Sequence, residues 1–141
     1  MFARTTTTNI AVLGAILAAF VTTSALRAQP SCSDATMKGT YVLSQSGTES
    51  GTPFAIVGEA TYDGHGNGSV TATKMFGGTL VAIVGAPATF TVNSNCSGQK
   101  TVGPFHFNFV ITPDGKTITF IQTDPGVVSA GQAKQLVRTS D

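Results

Sequence analysis

FHFNFVITPDGKTITFIQT, residues 105–123, decides the fold of this chain. Two runs of alternating apolar and polar residues flank Pro113-Asp114-Gly115-Lys116, and an alternation of period two is that of a strand with one buried face. Pro113 sets its φ near −65° and Gly115 supplies the positive φ that a tight reversal needs, so the segment reads as a β-hairpin. With Thr112 opposite Thr117, Phe107 faces Gln122, Phe109 faces Phe120 and Ile111 faces Ile118. That side of the ribbon is apolar and belongs to a core. The reverse side pairs His106 with Thr123, Asn108 with Ile121 and Val110 with Thr119.

The same pattern extends in both directions. Lys38 to Gly47 forms a strand with Tyr41, Leu43 and Gln45 on one face, and Phe54 to Tyr62 forms a second after the Gly51-Thr52-Pro53 break. Asp63 to Gly68 turns the chain into Ser69 to Phe76, and Gly77-Gly78 turns it again into Thr79 to Val84. Gly85-Ala86-Pro87 is read as a break before Ala88 to Asn93, followed by a short strand at Gln99 to Val102. After the hairpin, Asp124-Pro125-Gly126 leads to a last strand, Val127 to Val137. Eight or nine sequential strands with turn signals about every 10 residues and no helical period predict an all-β meander. Closure into a single antiparallel barrel removes the exposed strand edges, and a two-sheet sandwich is the alternative.

The first 28 residues stand apart. Arg4 precedes an uncharged, mostly apolar run from Ile10 to Val21, and Leu26-Arg27-Ala28 forms a cleavage site ahead of Gln29-Pro30. A run of that length falls short of the roughly 20 residues that span a bilayer, so the segment is expected to be a signal peptide, with no stable membrane insertion after its removal. The expected organisation is a signal peptide at 1–28, an N-terminal segment at 29–37 and a barrel at 38–141. Export makes the compartment periplasmic or extracellular, where Cys32 and Cys96, the two cysteines of the chain, are expected to pair. The bridge would tether the N-terminal segment, and a closed loop of about 64 residues is worth on the order of 4 kcal/mol in the chain-entropy account.

Without the leader, six basic and seven acidic residues remain, a net charge of about −1. That balance gives no electrostatic footprint for nucleic acid. Asp63-Gly64-His65-Gly66-Asn67-Gly68 has the look of a calcium loop, but Lys74 stands at the twelfth position, where a bidentate Glu is required, so it reads as a glycine-rich turn. His65 and His106 lack a ligand-spaced partner, so neither a metal site nor a cofactor is expected. Glu59 falls on the strand face of Ala55, Val57 and Thr61 and is expected to meet solvent; turned inward, it would be the carboxylate of a barrel enzyme.

Cys32 with Lys38-Gly39-Thr40-Tyr41, then Tyr62 to Gly68, Asn95 to Gly98 and Phe120 to Gly126, resembles a group of small exported bacterial proteins of unknown function. More distantly, the layout is similar to calycin-type (lipocalin-like) and allene-oxide-cyclase-like barrels. Gly39-Thr40-Tyr41 resembles the Gly-x-Trp that opens the first lipocalin strand, with Tyr41 at the Trp position. Thr123-Asp124 and Arg138 resemble the Thr-Asp-Tyr and late Arg, with Pro125 at the Tyr position. The resemblance implies that Tyr41, Asp124 and Arg138 close the base of the barrel.

The leading functional reading is an exported, non-enzymatic barrel that binds a small apolar molecule. Its lining would be Phe107, Phe109 and Phe120, with Gln45 and Gln122 as polar interruptions. The alternatives are a structural or cell-surface interaction protein and, behind both, a cyclase or isomerase that uses Glu59.

Overall fold

The computed structural model describes residues 31–136. The expected signal peptide lies outside the described residues, as do Val137 and Arg138. Eight antiparallel strands run in chain order: β1 (Lys38–Glu49), β2 (Thr52–Asp63), β3 (Asn67–Phe76), β4 (Thr79–Val92), β5 (Ser97–Val102), β6 (Phe105–Ile111), β7 (Thr117–Gln122) and β8 (Val127–Gln135). Each pairs with the next, and β8 returns to β1 from Tyr41–Gln135 to Glu49–Val127, so the sheet closes into one barrel and not a sandwich.

The β6–β7 hairpin has the register its sequence predicts, with Phe107 opposite Gln122, Phe109 opposite Phe120 and Ile111 opposite Ile118. Its apolar face is buried, and so are Tyr41, Leu43 and Gln45 of β1. Glycines on neighbouring strands make room for the large rings. Gly98 lies opposite Phe109 and Gly131 opposite Phe120, and a Cβ at either glycine would run into the ring beside it. A ring lying over a cross-strand glycine covers exposed backbone and pins register.

The expected break in the fourth strand is corrected. Gly85-Ala86-Pro87 does not end a strand; it lies within β4, where Val84 and Gly85 together stand opposite the single Thr71 of β3. Gly85 adopts a φ of 58°, and its N–H donates to Thr71 Oγ1 at 3.1 Å. This is a β-bulge, which inserts one residue and reverses the facing parity of the strand. Ala86, Ala88, Phe90 and Val92 therefore share the inner wall with Ile83, whose number has the other parity. A strict period-two reading breaks there, which is why one strand looked like two.

The N-terminal segment closes one end of the barrel. Residues 34–36 form a single 3-10 turn, after which Met37 is wholly buried. Cys32 is bonded to Cys96 in the β4–β5 turn, the Cys32 N–H donates to the Ser94 carbonyl at 3.2 Å, and Asp34 Oδ1 accepts the Val92 N–H at 2.7 Å. Beneath this plug, Tyr41, Tyr62 and Phe90 meet edge to face with centroids 5.7 and 5.4 Å apart. Tyr41 Oη donates to the Gly115 carbonyl at 2.6 Å, tying the β6–β7 turn down.

Tyr41 thus has the base-closing place that the lipocalin resemblance implies. Asp124 does not. β7 carries the chain away from the plug, so Asp124 sits in the β7–β8 loop at the opposite end. There it accepts the His106 backbone N–H at 3.0 Å and the Gln122 amide at 2.8 Å, and lies 2.8 Å from His106 Nδ1.

Because the bridge joins the plug to a turn 64 residues away, replacing both cysteines by serine should lower stability by about 2–4 kcal/mol. Thermal unfolding of the double variant, followed by circular dichroism, should show a melting temperature at least about 8 °C below that of the oxidised parent.

Candidate functional site

The end of the barrel away from the plug is open. Inward side chains from that half enclose a cavity of about 510 Å³, within the range that holds a small organic ligand. Leu43, Ile56, Val70, Ile83, Phe107 and Phe120 give it an apolar wall. Of the residues expected from the sequence, Gln45, Phe107, Phe120 and Gln122 border this space. Phe109 does not: it is buried nearer the plug, against Gly98. The alternation of β6 sets the direction of its ring, whereas its distance along the barrel axis decides whether it meets cavity or packed core.

The polar interruptions form a chain. Gln45 Nε2 donates to Gln122 Oε1 at 3.1 Å and to Ser129 Oγ at 2.9 Å, and Gln122 Nε2 donates onward to Asp124 Oδ2 at 2.8 Å. A run of hydrogen bonds therefore links the cavity wall to His106 on the outer surface. Burial acts to raise the Asp124 pKa, but hydrogen bonds from the His106 side chain and backbone and from Gln122, with the His106 charge, outweigh it and hold the carboxyl below its usual value.

Two inward lysines were not singled out from the sequence. Lys74 lies at the rim, where Nζ meets Glu49 Oε2 at 2.7 Å and sits 4.8 Å from the ring centroids of both Phe54 and Phe76. Lys100 lies deeper and is 5% exposed. Its Nζ is 4.0 Å from the Phe120 ring centroid, 5.2 Å from Phe107 and 6.0 Å from Tyr62, distances at which a ring face attracts a cation. It donates one hydrogen bond, to Tyr62 Oη at 3.4 Å. Among the described residues the ion pairs are Lys74–Glu49 and His106–Asp124, and Lys100 belongs to neither. Burial drives its ammonium pKa from 10.5 down to about 7. Burial also raises the Tyr62 hydroxyl, which stays protonated.

The signal for Lys100 was its pairing. The Gly103-Pro104 turn sets Lys100 opposite Phe107, already recognised as inward, so the lysine must face inward too. Its charge disguised this, because lysine is ordinarily a surface residue.

The remaining candidates lie elsewhere. Glu59 is exposed on the outer wall, as its strand phase predicts, and so cannot supply a carboxylate to the interior. Asp63 Oδ1 accepts the His65 and Asn67 N–H groups at 2.7 and 3.0 Å, which makes the loop a self-capped turn. Among the described residues no cluster of His, Cys, Asp and Glu could hold a metal ion, and no helix is long and apolar enough to cross a membrane.

Fold and site together define a closed eight-stranded antiparallel β-barrel, plugged at one end and open into an apolar cavity at the other. No protein-family model matches the chain, and it has no significant likeness to a curated protein or to a solved structure. The eight-strand antiparallel meander barrel is the architecture that the calycin resemblance implies.

Lys100 makes stability depend on pH in a definite direction. Between about pH 7 and 10 the unfolded chain holds a proton at this lysine that the folded chain has released, so folding becomes more favourable as pH rises. Chemical denaturation should detect a rise of at most about 1.4 kcal/mol per pH unit in that window. Lys100→Met, which has no charge to bury, should flatten the rise and stabilise the protein near pH 7.

Proposed function

We propose that this chain is an exported, non-enzymatic barrel that carries a small apolar ligand in its open half. The single observation that supports the reading is the cavity of about 510 Å³, walled by aliphatic and phenyl side chains and bordered by a few polar groups. Binding sites of this kind bury most of a ligand's surface and use sparse polar groups to orient it. A filled barrel would leave no such space, because protein interiors are packed at crystal-like density.

The residues proposed to contact the ligand are Gln45, Phe107, Phe120 and Gln122. Export follows from the leader-like 1–28 segment, and the Cys32–Cys96 bridge is compatible with an oxidising destination. In this reading the described part of the N-terminal segment, residues 31–37, serves as the disulfide-tethered plug of the barrel.

A second reading, a protein that meets others through its outer wall, is favoured by apolar side chains standing in solvent. Val84 is 82% exposed, Val128 77% and Leu80 67%. It predicts self-association that grows with concentration, which sedimentation would detect.

Titration with the neutral dye N-phenylnaphthylamine tests the first reading. The dye should brighten saturably on the oxidised protein. Ala72→Phe, which grows a ring into the cavity from β3, should weaken the dye at least tenfold while leaving the far-ultraviolet circular dichroism unchanged. A folded parent that takes up no dye would remove the proposal.

A further inference from the structure

The barrel holds two inward lysines, both stacked on aromatic rings, and they differ in depth and in partner. Lys74 has a carboxylate at 2.7 Å, from Glu49. Lys100 is deeper, is more fully buried and has one neutral hydrogen-bond partner, Tyr62 Oη, at 3.4 Å. An ammonium has three N–H donors, so two of those on Lys100 are left without an acceptor among the described residues. Burying a charge is costly unless it is paired and hydrogen-bonded. The side of Lys100 that borders the cavity is where a partner can arrive.

We propose that the ligand is an apolar monocarboxylate that enters head-first through the open end and lays its carboxylate on Lys100, with its hydrocarbon part against Ile83, Phe107 and the rim. The inference rests on the reading that the cavity binds an apolar molecule, and it names the chemical class. The carboxylate supplies to Lys100 what Glu49 supplies to Lys74, and the charge-assisted hydrogen bond forms in a space that excludes most water, where it is strongest. The phenyl faces of Phe120 and Phe107 favour the charged form of the amine and hold it in place. Gln45 Nε2 already donates to Gln122 and Ser129, so both of its hydrogens are engaged, whereas Lys100 has N–H groups to spare for an anion.

The ionisable groups around this site are few. Tyr62 of β2 touches Lys100 and is neutral, the Lys74–Glu49 pair at the rim is internally compensated, and Asp124 lies behind Gln122, bound to His106. The pH dependence of carboxylate binding is therefore governed by Lys100, whose proton the bound anion retains.

Displacement of N-phenylnaphthylamine by decanoate and by decanol, which share a chain and differ in head group, tests the inference. At pH 6 decanoate should bind at least tenfold tighter than decanol. Its affinity should fall by up to about 100-fold on going to pH 9, two units above the Lys100 pKa of about 7, while decanol stays level. Lys100→Met should abolish the preference and its pH dependence and still bind decanol, whereas Lys100→Arg should keep the preference. Equal binding of both probes with no pH dependence would overturn the anion inference and leave the cavity reading intact. An affinity for decanoate that rises above pH 8 would overturn it as well. Failure of the dye, decanoate and decanol alike to bind the folded protein would remove the cavity reading and this inference with it.

Discussion

The backbone seam between β1 and β8, which runs from Tyr41–Gln135 to Glu49–Val127, turns a row of hairpins into a vessel. Each of the other seven pairings joins strands next to one another in the chain, and a meander of that kind could lie open with a free edge on either side. Pairing the first strand with the last satisfies the backbone groups of both edges at once. It also gives the sheet an inside. After closure the alternation along every strand carries one meaning: alternate residues face a shared interior whose width follows from the number of strands.

The two halves of that interior have been treated differently. Toward the plug, Met37, Tyr41, Tyr62, Phe90, Ile111 and Ile118 fill the barrel, and the disulfide fixes the segment that covers them. Toward the other end some inward positions become smaller or polar, with Ala72, Gln45, Gln122 and Ser129 set among the rings of Phe76, Phe107 and Phe120, and space is left. The tapering is a matter of side-chain volume on a uniform scaffold. It puts the packed core and the cavity at opposite ends of the barrel.

Electrostatics in the open half follow from this separation. A rim lysine beside a glutamate is inexpensive because the pair is partly hydrated. A lysine lower in the barrel has lost its water and has gained phenyl faces and one hydroxyl in return. Such a group loses its proton near neutrality or recruits an anion, and either outcome couples the cavity to pH.

Much of this was legible in residue order. The 105–123 hairpin, its register and its inward Phe face follow from Pro113, Gly115 and strict alternation, because a slip of one residue would turn every phenyl ring to water. The outward face of Glu59 follows from the same alternation, and the pairing of Cys32 with Cys96 from their being the two cysteines of the chain. Three things were decided only by the tertiary structure. The Gly85 bulge joins two apparent strands, since it takes the partner strand to absorb the extra residue. The depth of Phe109 and Phe107 along the axis separates core from cavity, and period two is blind to depth. The environment of Lys100 is built by β2, β6 and β7 around a residue of β5, so its chemistry exists only once those strands have closed around it. Sequence gave direction, in or out, because that is a property of one strand. Burial, charge and room belong to the assembled ring, because each is set by neighbours distant in the chain.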